Sequence, residues 1–135
     1  MSHVGPTMAR GSDCTTEGIR VEALPQFLPT YSDSDAGRFV FGYRVRITNG
    51  SGTRVRVTRR YWRIVDADGE PHVVDQPGVV GQTPFLEPGT SFEYASYCPL
   101  PTEWGTMEGH YVVERDGAAP IEAAIGRFFL VRTDP

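Results

Sequence analysis

The chain has 135 residues and a formal net charge of −4, from 13 basic and 17 acidic residues. That length holds one domain whose core can stand without disulfide staples. The acidic balance excludes a global attraction to nucleic acid or to an anionic membrane.

Met1 to Thr16 is rich in Gly, Ser and Thr with no apolar period, and reads as a disordered N-terminal tail (1–16) ahead of a folded domain over 17–132. It lacks the apolar core of a secretory signal, and no stretch of the chain nears the ~20 apolar residues of a membrane helix. A reduced, cytoplasmic protein is expected, which disfavours a Cys14–Cys98 bridge. From Ile19 the pattern has period two: Ile19, Val21 and Ala23 alternate with Arg20, Glu22 and Leu24. Pro25 and Pro29 end the run, so it reads as an edge strand. Phe39, Phe41, Tyr43, Val45 and Ile47 then share one face of the clearest strand, and Val40, Gly42, Arg44, Arg46 and Thr48 share the other. Side chains alternate across a strand, so the first set faces the core and the second is largely solvated. Asn49-Gly50-Ser51-Gly52 makes a turn.

In Arg54 to Asp66 the apolar residues change phase, with Val55 and Val57 odd and Trp62 and Ile64 even. A β-bulge near Arg59 or Arg60 would place both pairs on one face. Asp66-Ala67-Asp68-Gly69 is a hairpin turn, and His72 to Asp75 a short return strand. Phe92, Tyr94 and Ser96 alternate next, and Cys98-Pro99-Leu100-Pro101 reads as an extended loop. Gly109 to Val113 and Ile121 to Val131 complete about seven strands with turn signals every 8–12 residues. That spacing predicts an all-β antiparallel sandwich.

Two segments suggest anion binding. Gly78-Val79-Val80-Gly81, preceded by Gln76, covers the last two glycines of a G-x-G-x-x-G pattern. Pro84 and Pro88 follow, so no helix can start there and a Rossmann site is excluded, and a Walker loop is excluded because no Gly-Lys-Ser/Thr is present. Consecutive backbone N–H groups of Gly78 to Gly81, with Arg54 and Arg56 nearby, could still cradle an anion. The alternative is a tight inter-strand crossing in which the glycines supply positive φ. The arginine strand itself (Arg54, Arg56, Arg59, Arg60, Arg63) reads either as an acidic-partner surface or as a solvated outer face. Trp104, Leu100, Val79 and Val80 are the candidate partner-binding anchors, and Phe128, Phe129 and Leu130 near the C-terminus are further exposed apolar candidates, because such residues either dock partners or cap the open end of the core. Catalytic candidates are absent except for Cys98 with His110, and a lone loop cysteine is ordinarily a packed residue. No metal-ligand spacing occurs, and no cofactor is implied.

One family matches across these loops. Trp62-Arg63-Ile64-Val65-Asp66-Ala67-Asp68-Gly69, Pro77-Gly78-Val79-Val80-Gly81-Gln82-Thr83-Pro84, Leu86-Glu87-Pro88-Gly89-Thr90-Ser91-Phe92-Glu93-Tyr94, Cys98-Pro99-Leu100 and Gly105-Thr106-Met107-Glu108-Gly109 together resemble the bacterial ApaG family, in order, from about Glu17 to Leu130. The resemblance implies an immunoglobulin or fibronectin type III-like β-sandwich without an established enzymatic activity. It also implies a gene neighbourhood with a diadenosine tetraphosphate hydrolase and a loose link to cobalt and magnesium resistance. In related eukaryotic domains the suspected role is protein binding. The family's glycine motif carries three glycines, and this chain departs from it at Gln76. The expectation is therefore a non-enzymatic module that binds an unidentified protein, with nucleotide or pyrophosphate binding at Gly78–Gly81 as the alternative. No nucleic acid or membrane partner is expected, and an open sheet edge would also suit a homodimer.

Overall fold

The computed structural model describes residues 11–133. Nine strands form there: β1 (Ser12–Thr16), β2 (Ile19–Phe27), β3 (Phe39–Asn49), β4 (Val55–Asp66), β5 (Pro71–Pro77), β6 (Phe85–Leu86), β7 (Ser91–Leu100), β8 (Trp104–Arg115) and β9 (Ala118–Val131). They build two antiparallel sheets. Sheet A has the order β1-β2-β3-β7; sheet B has β5-β4-β8-β9, and β6 pairs with the start of β4. The predicted β-sandwich is present, with β1 and the two-residue β6 beyond the seven strands expected.

Each half-buried strand obeys the alternation its sequence shows. Phe41, Val45 and Ile47 of β3 are buried, while Arg44 and Arg46 are exposed. Val40 departs from this rule and is 2% exposed. The β2–β3 connection folds back over it: Leu28 N–H donates to Val40 O at 2.9 Å, and Val40 N–H donates to Ser32 Oγ at 2.8 Å. On β4 the phase change is resolved by a register shift between Val57 and Arg59, one residue before the predicted place. Val55, Val57, Trp62 and Ile64 consequently all face the core, as a bulge allows. Trp62 is its aromatic centre, with ring contacts to Tyr43 (5.3 Å), Phe128 (6.0 Å) and Tyr111 (6.4 Å).

Three expectations need correction. Ser12–Thr16, placed in the tail, forms β1 and pairs with Ile19–Ala23; residues 1–10 lie outside the described residues. Strand β2 is therefore internal over that stretch. Among the described residues it is an edge only from Leu24 onward, where Pro25 pairs with Tyr43 on one side and no described strand needs its absent N–H on the other. Cys98 and Leu100 lie within β7 instead of a loop. Pro99 is tolerated there because β7 is the last strand of its sheet.

The chain crosses between the sheets three times, from β3 to β4, from β6 to β7 and from β7 to β8. The first two crossings are fastened to one fully buried side chain, Asn49. Its Nδ2 donates to Thr53 O (2.8 Å) and Leu86 O (2.9 Å), and its Oδ1 accepts from Ser51 N–H (2.9 Å). Its backbone N–H donates to Thr90 O, and its carbonyl accepts from Gly89 N–H. Every polar group of this residue is thus satisfied without water, as burial demands.

Candidate functional site

The Gly78–Gly81 loop is an excursion from the edge of β4. Strand β5 pairs with Arg59–Val65 and β6 with Val55 and Arg56; the loop leaves and returns at the bulge between them. Gly78 N–H donates to Thr58 O at 2.8 Å. Val79 and Gln82 exchange both backbone hydrogen bonds, at 2.7 and 2.9 Å. The two residues between them, Val80 (φ 43°) and Gly81 (φ 78°), both have positive φ, the pattern of a type I′ turn. A Cβ on Gly78 would sit 2.7 Å from Gln82 O, so glycine is needed there for space as well as for its φ of 71°. The glycines serve a tight crossing. As an anion cradle the loop has lost two of its four donors, because the N–H groups of Gly78 and Val79 point into the protein's own carbonyls.

Arg54 and Arg56 are committed as well. Arg54 Nε pairs with Glu87 (3.1 Å), and Arg56 donates to Thr83 Oγ1 (2.7 Å). Both guanidinium groups stack on Phe85, at 3.9 and 4.4 Å from its ring centre. These cation–π contacts brace β6 against β4. Arg60, on the inward phase of β4, donates to the carbonyls of Pro77 and Gly78 and holds the base of the loop.

Val80 carries a local cost. A β-branched residue in the left-handed region is disfavoured by roughly 1–2 kcal/mol, and Val80 is half exposed, so packing returns little. Val80→Asn, which gives the Asn-Gly pair preferred in this turn, should stabilise the protein by about 0.5–1 kcal/mol. A urea midpoint that rises at unchanged m-value would establish this; a fall would mean that the valine side chain makes a contact worth more than the strain.

The four apolar anchor candidates separate by burial. Val79 is 0% and Leu100 4% exposed, so both belong to the core and are corrected as partner-binding residues. Val80 (50%) and Trp104 (47%) are exposed. Trp104 opens β8 on the outer face of sheet B, opposite Val131 of β9, and Thr106 lies opposite Phe129 on the same face. Phe129 is 46% and Val131 37% exposed. Trp104, Phe129 and Val131 thus form one exposed apolar cluster. The sequence singles out Trp104 and Phe129, whereas Phe128 and Leu130 of the same run are buried. Val131 could have been found from the alternation Phe128-Phe129-Leu130-Val131, whose two phases cannot both be buried in a two-layer fold.

Cys98 and His110 do not meet. Cys98 faces the core from sheet A, and burial pushes its thiol up to about 11. His110 lies on the outer face of sheet B, stacked on Tyr61 at 5.0 Å, with Nε2 3.6 Å from Glu122. A thiol so protonated supplies almost no nucleophile at neutral pH. Among the described residues no group of three or more His, Cys, Asp or Glu side chains is gathered to hold a metal ion.

Comparison with known proteins agrees with this architecture. A family model described as "ApaG domain" matches residues 29–115. "Protein ApaG" of Rhizobium meliloti is 45% identical over 85% of this chain and 88% of that protein. "Protein ApaG" of a Methylobacterium species is 46% identical over the same shares. The crystal structure of a Bordetella pertussis protein described as ApaA superposes with a TM-score of 0.82 at 40% identity, covering 87% of this chain and 96% of that one. The C-terminal domain of wzt shares the fold alone, at 10% identity and a TM-score of 0.56.

Proposed function

The chain belongs to the ApaG family, and from that premise we propose that it is a binding module that docks a protein partner. The observation that carries this reading is the cluster of Trp104, Phe129 and Val131, left open on the outer face of a sheet whose remaining outward residues are largely polar. A rigid indole on a strand offers a large apolar contact at low entropic cost, which is how interface anchors work. Pyrophosphate binding at Gly78–Gly81 is the weaker reading, since Gly78 N–H, Arg54 and Arg56 are already engaged.

The sequence contains no lysine, so amine-reactive crosslinkers would miss its surface. Benzoylphenylalanine placed at position 129 and photolysed in the producing cell is the suitable probe. The expected result is a recurring protein adduct that Trp104→Ala removes. Adducts that persist in Trp104→Ala, or none in repeated trials, would sink the reading.

A further inference from the structure

Strand β7 ends sheet A, and the middle of its free edge lacks the usual defences. Proteins blunt exposed edges with proline, charge or bulges. The other terminal strand of that kind, β5, carries Pro71 and Pro77 at its ends and His72 and Asp75 between them. Strand β7 carries Glu93 and Pro99 on either side of Tyr94-Ala95-Ser96-Tyr97-Cys98, but these five residues have neither proline nor charge.

Beside this edge, on the outer face of sheet A, lie two adjoining hollows. One, of about 540 Å³, is lined by Leu28, Tyr31, Arg38, Val40 and Tyr97. The other, of about 520 Å³, brings in Leu24, Gly42 and Arg44, and both include Ala95. The floor is low for a reason of sequence: Gly42 and Ala95 are small, and Leu28 folds down to within 3.3 Å of where a Gly42 Cβ would stand. Tyr31 (67% exposed) and Tyr97 (65%) rise beside it.

The charges there are uncommitted. Most described arginines hold a carboxylate or a carbonyl. Among the described residues, only the side chains of Arg38, Arg44 and Arg63 make no ion pair or hydrogen bond, and two of those three border the hollows. Asp33, the backbone partner of Arg38 across its turn, gives its carboxylate to Ala36 N–H instead, at 3.3 Å.

We propose that β7 is a strand-addition site for an extended peptide segment of a partner protein, one that combines acidic with aliphatic or aromatic residues. The segment's backbone pairs with the free edge over Tyr94–Cys98. Its apolar side chains seat between Tyr31 and Tyr97, and its carboxylates meet Arg38 and Arg44. Main-chain pairing gives such complexes affinity, and pockets for alternate side chains give specificity; the cations select sign and speed encounter. A second copy of this chain fits less well. The outward residues of β7 include one acid, Glu93, and Arg46 already holds it at 2.9 Å. This inference rests on the protein-binding reading but uses a surface on the opposite sheet from Trp104, so the two can fail separately.

The test is selection from a displayed library of short random peptides on the intact chain, followed by fluorescence anisotropy of the enriched sequences. Enriched peptides should combine Asp or Glu with aliphatic or aromatic residues. Their affinity should fall at least tenfold in Arg38→Glu/Arg44→Glu and stay unchanged in Arg63→Glu, the third uncommitted arginine. Both arginines are exposed and unpaired, so the double variant should fold, and circular dichroism checks that. As a measurement free of mutation, raising salt should weaken binding to the wild type. Hydrogen exchange should show Tyr94–Cys98 amides protected by the peptide. Basic or neutral consensus peptides, loss of binding in Arg63→Glu, or no enrichment would each overturn the proposal. So would protection of β7 by self-association. Peptides lost only through Trp104→Ala would overturn it while leaving the protein-binding reading intact.

Discussion

Gly109→Ala should destabilise the protein by on the order of 3–5 kcal/mol, the range reserved for substitutions that break a core or force a backbone apart. Gly109 lies on β8 opposite Trp62 of β4, in the middle of sheet B. A Cβ there would stand 1.9 Å from Tyr61 O and 2.8 Å from Tyr61 C. Both atoms belong to the backbone, so no side chain can swing aside. Either the β4–β8 ladder opens, exposing the core around Trp62, or β8 shifts and loses its pairing with β9, whose register already breaks between Met107 and Gly109. Gly52→Ala is the matching control. Its Cβ would meet nothing within 4 Å, and its effect should stay within about 0.5 kcal/mol. Urea titration of both variants decides the matter, and a Gly109→Ala loss below about 1 kcal/mol would show that the close approach relaxes cheaply.

The second large effect concerns a hydrogen bond between two tyrosine side chains that joins the two sheets through the core. Tyr94 of β7 and Tyr111 of β8 bond hydroxyl to hydroxyl, with 8% and 0% of their surfaces exposed. Removing one partner strands the other in the core, so Tyr111→Phe should cost about 1–3 kcal/mol at neutral pH. Removing both leaves an apolar pair of the same shape, so Tyr94→Phe/Tyr111→Phe should be nearly neutral. The pH dependence follows from burial, which raises both hydroxyls above the ordinary tyrosine value of 10.0. The folded state keeps them protonated while the unfolded state ionises them near 10, so the native form binds more protons above that pH. Their contribution is intact below pH 10 and declines as pH rises through that value and beyond. The double variant should therefore unfold at a higher pH than the wild type. A residual decline should remain, because burial also raises Tyr43 and Cys98. An unchanged alkaline midpoint in the double variant would refute the assignment.

Legibility in the sequence followed the physics of each element. Strands β3, β4 and β8 announce themselves because each has one buried and one wet face, which writes period two into the chain. The bulge in β4 was legible for the same reason, since two apolar phases on one strand require an extra residue. Strand β1 left no such trace. It lies next to β9, where Thr16 Oγ1 accepts from Ala124 N–H and the Ser12 side chain lies 3.3 Å from where a Gly126 Cβ would stand. A face packed on small residues needs no hydrophobic ones. Leu100 and Val79 were misplaced because position in a Pro- or Gly-rich stretch says nothing about depth; burial is decided by strands distant in sequence. The surface beside Tyr97 was hidden for the same cause. Arg44 meets Ala95 and Val40 meets Pro99 only through the β3–β7 register.

The buried node at Asn49 also bears on how the protein ages. Asparagine followed by glycine is the pair most prone to lose its side-chain amide, because the glycine N–H can attack the asparagine carboxamide and close a five-membered ring. Here both reactants are tied down. Gly50 N–H donates to Gly18 O at 2.8 Å, and the Asn49 carboxamide is pinned at both ends by Thr53, Leu86 and Ser51. Ring closure requires these bonds to break together, which amounts to undoing the first two sheet crossings. The chemical clock at Asn49 therefore runs in the unfolded chain, and conversion of Asn49 to aspartate measures how often the sandwich has come open.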